Sequence, residues 1–307
     1  MIKNKNFIIF LIGFLLLLAC EDSNNIIVEE PEEVVEIPIV EEPIVEEPEN
    51  NASDVLSEIV LESDGEGETY ELINSVFAPD YNVVEAPDCS HESFGRHIDE
   101  IFDADLNKNI FRFFIHTTPD NDRCIKFDRQ RNEIKTYDKS PDNLKGVQNE
   151  KVVYSWKFKI NTVFSSSSRF THLHQIKAVG GSEDSMPLFT LTTRKGSPDQ
   201  LELRYAETTS QKTLKKTDLS IFKGVWLEVT ETIIYGEKEV GEYTISINNL
   251  STKEILFSYS NYEIRTWKTA ADFMRPKWGI YRGLTDTNDL KDEEVLFADF
   301  SIKELKN

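Results

Sequence analysis

The stretch VVYSWKFKI at Val152–Ile160, followed after eight residues by RFTHLHQIKAV at Arg169–Val179, predicts two β-strands. Both segments are rich in the β-branched and aromatic residues that favour strands, and turn signals such as Gly180-Gly181 follow. Six further segments read the same way: Leu188–Arg194, Leu201–Ala206, Trp226–Tyr235, Glu242–Asn248, Lys277–Tyr281 and Val295–Ile302. Only Glu92–Leu106 indicates a helix. The sequence therefore predicts an all-β fold, a jelly-roll sandwich of two antiparallel sheets.

Acidic residues dominate the charge of the chain. Its 307 residues include 55 Asp and Glu against 34 Lys and Arg, which gives a formal net charge of −21. Residues 21–54 hold thirteen acids and no Lys or Arg, so residues 55–307 carry a net charge of −10. This balance argues against a nucleic-acid partner, which would require a basic face. The 253 residues from 55 to 307 are enough for one large core, and we expect a single domain and a monomer.

Residues 1–20 have the pattern of a signal peptide. Lys3 and Lys5 precede the apolar run Phe7–Leu18, which is too short to span a membrane as an ordinary helix. The end of this segment, Leu17-Leu18-Ala19-Cys20, resembles a bacterial lipobox, in which Cys20 becomes the lipidated first residue. The alternative is an ordinary secretory signal that ends in Cys. We expect a lipid anchor at Cys20, in the outer membrane or at the cell surface, facing the outside or the periplasm.

Residues 21–54 are expected to form a disordered tether. The sequence IVEEP occurs at 27–31, 39–43 and 44–48. Repeated prolines and uncompensated glutamates resist packing and repel one another, so the segment is an extended spacer. The folded domain is then expected at 55–307.

Two cysteines remain once Cys20 is assigned to the lipid. Cys89 and Cys124 are expected to pair in an exported protein, closing a loop of 35 residues. The alternative is two free buried thiols. His91 and His97, near Cys89, are assigned to the same loop.

The densest group of charged residues is DRQRNEIK at 128–135. If this segment is a strand, Arg129, Arg131, Glu133 and Lys135 project from one face. Three cations and one acid on one face are costly to bury and suit an anion-binding surface. The alternative is a solvated edge strand.

Two later stretches also carry polar residues. In THLHQIK at 171–177, His172 and His174 are expected on one face, with Gln175 and Lys177 on the other. The H-x-H pair has no evident third or fourth ligand, so we expect no metal site. This arrangement of polar residues suggests a sheet with a wet concave side.

In KWGIYRG at 277–283, Lys277, Gly279 and Tyr281 are expected to share a face, with Gly279 leaving room for something to lie against the sheet. Trp278 could stack on a sugar or fill the core.

Taken together and in this order, the three stretches resemble the jelly-roll polysaccharide lyases, a family that includes alginate lyases. That family carries R-x-E-L-R, Q-I-H and Y-F-K-A-G-x-Y motifs on neighbouring strands of a concave sheet. The matching segments here are residues 131–135, 175–177 and 277–281, and the resemblance extends over roughly 110–300. The surrounding sequence is closer to glucuronan and heparin lyases than to alginate lyases. Lys177 stands where the Q-I-H motif has histidine, which puts the identity of the general base in doubt.

The resemblance implies a concanavalin-like jelly roll with a concave substrate groove and cleavage of a uronic-acid polymer by β-elimination. Arg131, Gln175 and Lys177 would neutralise the uronate carboxylate, and Tyr281 would act as the acid. The base is left open between Tyr281 and a histidine, with these candidates: His116, His172 and His174. Further substrate-binding candidates are Arg129, Glu133, Lys135, His172, Lys277, Trp278 and Arg282.

Two other functions remain as alternatives. A non-catalytic carbohydrate-binding lipoprotein would use the same fold. A glycoside hydrolase would need two carboxylic acids flanking the bond, and no such pair is evident. We expect no cofactor, with a structural calcium left open. The sequence leaves undecided the polymer (glucuronan, ulvan, heparin-like or alginate), its sulfation, and endo or exo cutting.

Overall fold

The computed structural model describes residues 54–285 and 287–307. The predicted signal peptide and lipobox at 1–20, with Cys20, lie outside the described residues, as does the predicted tether up to residue 53. Asp54, the last residue of that tether, is described, and its carbonyl accepts a hydrogen bond from the Lys306 N–H. No helix in the described ranges is both long enough and apolar enough to cross a membrane.

One antiparallel sheet of eight strands forms the first layer. Along it the strands follow the order β13-β12-β11-β6-β15-β4-β3, and β1 also pairs with β15. Their bounds are β1 Val55–Leu61, β3 Ile98–Asp103, β4 Lys108–Ile115, β6 Lys151–Ile160, β11 Leu227–Ile234, β12 Glu242–Asn249, β13 Ile255–Asn261 and β15 Glu293–Leu305.

A second antiparallel sheet of seven strands packs against the first. Its order is β10-β9-β8-β7-β14-β5-β2. The bounds are β2 Val84–Glu85, β5 Arg129–Lys135, β7 Thr171–Val179, β8 Phe189–Arg194, β9 Gln200–Tyr205, β10 Lys212–Asp218 and β14 Phe273–Gly283. The predicted all-β sandwich of two antiparallel sheets is confirmed.

The core lies between the two sheets and is dense in aromatic rings. Trp156 on β6 and Trp278 on β14 face each other across it, with ring centroids 6.0 Å apart. Phe300 on β15 lies 5.1 Å from Trp278. Burial alternates along β6 as the pleat requires, with Tyr154, Trp156 and Phe158 inside and the intervening residues partly exposed.

The predicted helix at Glu92–Leu106 is wrong. That segment contains β3, which forms an antiparallel hairpin with β4 and buries Ile98 in the core. Among the described residues an α-helix, α1, instead forms at Thr69–Phe77, where Ile73 and Phe77, four residues apart, lie on one buried face. Pairing with the neighbouring strand β4 thus decided the structure of a segment whose own pattern was weak.

Cys89 and Cys124 form a disulfide with their Cα atoms 6.3 Å apart. The bond joins the segment after β2 to the loop that precedes β5. It therefore fixes one side of the strand that carries the DRQRNEIK charges.

Candidate active site

The outer face of the second sheet carries a cavity of about 570 Å³, called the groove below. Eight cationic side chains line it, with Glu85 as the one acid among the described lining residues. The cations are Arg123, Arg129, Arg131, Arg169, Lys177, Arg194, Arg275 and Lys277. A chain with a strong net negative charge thus presents a local basic surface, which suits an anionic ligand.

Strand β5 brings its charges to the groove side by simple alternation. The alternate residues Gln130, Asn132 and Ile134 face inward and are fully buried. Strand β14 pairs with β5 so that Tyr281 lies opposite Arg131 and Lys277 lies opposite Lys135. The first and third stretches are therefore adjacent in space, although about 150 residues separate them in the chain.

Tyr281 is held by two arginines. The Arg129 Nη1 donates to the Tyr281 hydroxyl at 2.8 Å, and the Arg131 guanidinium lies over the ring at 3.6 Å from its centroid. Phe170 packs against the ring at 5.1 Å. The phenol therefore has one fixed orientation, with a positive charge beside the oxygen that would exchange a proton.

Glu133 is a buried carboxylate beneath the groove. It contacts the Arg131 guanidinium, the Lys277 ammonium at 2.7 Å, and the Gln175 amide, which donates to it. Burial by itself raises the pKa of Glu133, but Lys277 and Arg131 outweigh it and lower the pKa to about 2. Glu133 is therefore ionised and orients Gln175 rather than transferring protons.

Glu85 is a second buried carboxylate, which the sequence analysis did not identify. It accepts from Lys135 at 2.8 Å and from Arg123 at 2.7 Å, and it contacts Lys277. Burial opposes ionisation, but the surrounding cations hold its pKa well below the usual range. Glu85 lies on the two-residue strand β2, and no local pattern singles it out.

Lys135 faces the groove side but is not among the lining residues. Burial, aided by neighbouring cations, lowers its pKa to about 8 against the opposing effect of Glu85. Its ammonium also lies 4.4 Å from the centre of the Tyr137 ring. Its hydrogen bond to Glu85 shows that Lys135 helps to keep that buried carboxylate ionised.

A β-bulge in β7 separates the two histidines that were expected on one face. The pairing with β8 shifts register between His172 and His174, so Leu173 and His174 both face the core while His172 and Gln175 face the groove. The expected assignment of His172 to the face opposite Gln175 and Lys177 is wrong for this reason.

His174 is a core residue, which contradicts its candidacy as the base. Its side chain is 1% exposed, its Nε2 lies 2.8 Å from Glu231, and its ring centroid lies 4.3 Å from that of Trp156. A substrate in the groove lies on the other side of the sheet. His174 therefore contributes to packing.

His172 is the one histidine among the described lining residues of the groove. Its Nδ1 lies 2.7 Å from the Thr192 hydroxyl, and its ring centroid lies 5.7 Å from that of Tyr281. Burial lowers the pKa of His172 to about 3, with Arg131 among the contributing cations and Glu133 opposing. The imidazole is therefore neutral near pH 7, and its low pKa makes it a weak base.

Lys177 lies in the groove, where the resembling motif has histidine. Its ammonium donates to the Asp184 carbonyl. Burial, followed by repulsion from Lys277 and Arg275, lowers the pKa of Lys177 to about 8. This side chain thus changes charge close to physiological pH.

Arg275 is a lining residue that the sequence analysis missed. Its Nε and Nη1 find no hydrogen-bond acceptor among residues 54–285 and 287–307, although the residue is only 6% exposed. Buried donors without acceptors are costly, so this guanidinium is suited to receive an anion. Alternation with Lys277, two residues on, was the signal that could have found it.

Two substrate-binding candidates on β14 lie on the core side. Trp278 is fully buried and stacks with Phe77 at 5.9 Å. Arg282 is fully buried and donates to Gln130 at 2.7 Å and to the Lys291 carbonyl at 2.8 Å, and burial lowers its pKa to about 10. The alternation that puts Tyr281 in the groove turns Trp278 and Arg282 toward the core, so their expected role in binding the substrate is wrong.

Gly279 serves the sheet rather than a ligand. Its φ is +143°, and a Cβ at this position would overlap the Asn132 carbonyl oxygen of β5. What lies against Gly279 is therefore the backbone of the neighbouring strand, and the expected room for a ligand at this point is wrong.

His116 lies outside the groove. It follows β4 in the first sheet and joins His91, His97 and Asp120 in a cluster. Its Nδ1 lies 3.1 Å from the Asp120 carboxylate. The proposal of His116 as a base is contradicted by this position.

Comparisons with known proteins agree with this arrangement. The family model described as polysaccharide lyase matches residues 110–300, well over half of the chain. No curated protein sequence matches the chain. An endo-β-1,4-glucuronan lyase from Trichoderma reesei shares the fold, with a TM-score of 0.52, 12% identity and coverage of 81% of this chain and 94% of that one. A PL-14 alginate lyase from Aplysia kurodai has a TM-score of 0.53, 13% identity and coverage of 81% and 98%.

At these identities the two solved structures show a common jelly-roll fold, while the family match spans all three charged stretches. Residues from β5, β7 and β14 that those stretches supply meet in one basic groove. On the family match, the chain belongs to the polysaccharide lyase family.

Proposed function

We propose that this lyase cleaves a uronic-acid-containing anionic polysaccharide by β-elimination. The observation that carries the proposal is the groove itself, where a tyrosine hydroxyl fixed by Arg129 lies among cations. The structurally similar glucuronan and alginate lyases give further support, because their names denote uronate polymers.

The reaction breaks two bonds and forms one double bond. A base removes the proton on C5 of the uronate, the C4–O bond breaks, and a double bond forms between C4 and C5. An acid protonates the departing oxygen. The C5 proton becomes removable only when the carboxylate charge is neutralised, so groups that stabilise the dianionic intermediate supply much of the rate.

Three side chains are suited to hold the carboxylate. Gln175 is fixed by Glu133. Among the described residues, the Nε and Nη1 donors of Arg275 find no acceptor, and the Lys177 ammonium binds a single carbonyl. Arg131, by contrast, is already paired with Glu133, so we assign it the positioning of Tyr281.

Tyr281 is proposed as the proton-transfer residue, as acid toward the leaving oxygen and as base toward C5. His172 is the second candidate for the base, because its side chain faces the groove next to Tyr281. A positioned acid or base typically contributes about 10²–10⁴-fold to the rate.

The test follows the ultraviolet absorbance of the unsaturated uronate product. Purified protein is mixed in turn with glucuronan, alginate, ulvan and heparin. Tyr281→Phe is expected to lower kcat by at least about 100-fold on the cleaved polymer. Tyr262→Phe is the matched control, because Tyr262 is exposed and does not line the groove.

Each outcome of this test is informative. A rise on one polymer that Tyr281→Phe abolishes and Tyr262→Phe spares supports the mechanism and identifies the substrate. A flat trace on every polymer, with retention of one of them in an affinity gel, contradicts the proposal and favours the carbohydrate-binding alternative.

We also propose that the chain is lipid-anchored through Cys20, on the lipobox pattern at 17–20. A surface anchor would suit an enzyme whose polymeric substrate lies outside the cell. Labelling with a radioactive fatty acid tests this directly. Incorporation that persists in Cys20→Ser contradicts the assignment.

A further inference from the structure

We propose that His91, His97, His116 and Asp120 form a binding site for a zinc-class divalent transition metal. One ligand atom from each residue lies within 4.8 Å of the others. The site is separate from the groove, since none of the four residues lines it. Three imidazoles with one carboxylate are a donor set that suits zinc rather than calcium or magnesium.

The contacts converge on the Asp120 carboxylate. His91 Nδ1 lies 3.0 Å from its Oδ1, His97 Nε2 lies 3.3 Å from the same oxygen, and His116 Nδ1 lies 3.1 Å from Oδ2. Ligand atoms around a tetrahedral zinc with bonds of about 2.0–2.1 Å are roughly 3.3 Å apart. A contraction of about 1.5 Å in the longest separation, from 4.8 Å, would therefore complete the coordination sphere.

The partners behind these ligands resemble those of zinc sites. The other ring nitrogen of His97, Nδ1, lies 2.8 Å from Asp88, and the Tyr70 hydroxyl donates to Asp88 at 3.1 Å. A carboxylate on the far nitrogen fixes the tautomer and orientation of a metal-bound histidine. Asp120 is also fixed, because the backbone N–H of His116 donates to its Oδ2 at 2.6 Å.

Burial leaves one side accessible to an entering ion. The side chains of His97 and Asp120 are fully buried, whereas those of His91 and His116 are 18% exposed. The Phe94 ring covers the cluster, with centroids 4.4 Å from His116 and 4.7 Å from His97. An apolar cover of this kind limits water at a metal site while leaving a route past a loop residue.

The position of the cluster suggests a structural role. Its ligands come from the disulfide-linked segment near Cys89, the residue before β3, and the loop that follows β4. Two residues beyond Asp120, the Asp122 carboxylate accepts from Arg131 in the groove at 3.0 Å. A bound metal would thus clamp the loop that supplies part of the groove wall.

The experiment uses the purified full-length chain, stripped with a chelator and titrated with zinc chloride or cobalt(II) chloride. We expect one zinc per chain, and a rise in Tm of roughly 5–10 °C at a hundredfold excess over Kd. Cobalt(II) is expected to give the intense visible d–d bands of a tetrahedral site. Binding and the Tm rise should be lost in the double variant His91→Gln/His116→Gln.

His172→Gln is the matched control, because it removes a histidine outside the cluster and should keep the zinc. If the double variant does not fold by circular dichroism, the single variant His116→Gln replaces it. Absence of stoichiometric binding by the wild-type chain, or equal binding by the folded cluster variant, would overturn the proposal and leave a metal-free histidine–carboxylate network.

Discussion

Replacing Glu133 by Gln tests the electrostatic design of the groove. The substitution keeps the volume and leaves an amide oxygen that can still accept from Gln175, but it removes the charge that compensates Lys277 and Arg131. Removing one member of a buried ion pair typically costs about 3–5 kcal/mol, since the remaining charge lies unpaired. For a domain of this size we therefore expect Tm to fall by roughly 6–20 °C.

The pKa of Glu133 gives a second measure of the same interaction. A shift from the ordinary 4.5 to about 2 corresponds to about 3 kcal/mol. Because the folded-state pKa is the lower one, this stabilisation is present above pH 4.5 and is lost as the pH falls toward 2. The free energy of unfolding of the wild-type chain should decrease over that window more steeply than that of Glu133→Gln.

The assay is chemical denaturation followed by tryptophan fluorescence at a series of pH values, with Glu239→Gln as control. Glu239 is an exposed acid, so its variant should follow the wild-type curve. We also expect kcat of Glu133→Gln to fall by about 100-fold, because Arg131, which positions Tyr281, loses its carboxylate partner. A Glu133→Gln protein as stable as wild type at neutral pH, with the same acid dependence, would refute the reasoning.

Three further predictions concern individual side chains. His172→Asn is expected to lower kcat because His172 faces the groove next to Tyr281, whereas His174→Asn is expected to lower Tm and spare kcat because its ring lies in the core. Kinetics and thermal denaturation distinguish the two variants, and equal effects on kcat would contradict the assignment of faces. Lys177 has a pKa of about 8 and loses its charge above that pH, so kcat/KM should fall as the pH rises past 8. In Lys177→Arg the charge persists and this fall should disappear from the profile of kcat/KM against pH, whereas an unchanged fall would contradict the role of Lys177 in holding the carboxylate. Replacing Cys89 and Cys124 together by Ser should lower the free energy of unfolding by roughly 3–4 kcal/mol, as expected for a 35-residue loop. The midpoint of denaturant unfolding measures this loss, and an unaltered midpoint would show that the disulfide does not stabilise the fold.

Strand alternation explains both the success and the failure of the sequence analysis at the groove. Along β5 and β14 the alternation is regular, so Arg131, Lys277 and Tyr281 lie on the expected side. Along β7 a single bulge interrupts the alternation, so His172 and His174 lie on opposite faces of the sheet. A bulge leaves no clear mark in the sequence, because it depends on the register that neighbouring strands impose.

Glu85, Asp122 and Arg123 were missed by the sequence analysis for a different reason. Glu85 lies on a two-residue strand, and Asp122 and Arg123 lie in a loop, so no periodic pattern points to them. Glu85 and Asp122 acquire a role only because the fold brings them next to Arg131, and Arg123 pairs with both acids. The histidine cluster is a similar case, since residues 91, 97, 116 and 120 share no spacing that predicts a common site.

By itself the sequence determined the all-β class, the three charged stretches and the family resemblance. These depend on local composition and on motifs that keep their order along the chain. The tertiary structure alone decided which histidine faces the groove, which carboxylates compensate its cations, and that His91, His97 and His116 surround Asp120. The physical reason is that burial and electrostatic compensation are properties of neighbours in space, and long-range strand pairing selects those neighbours.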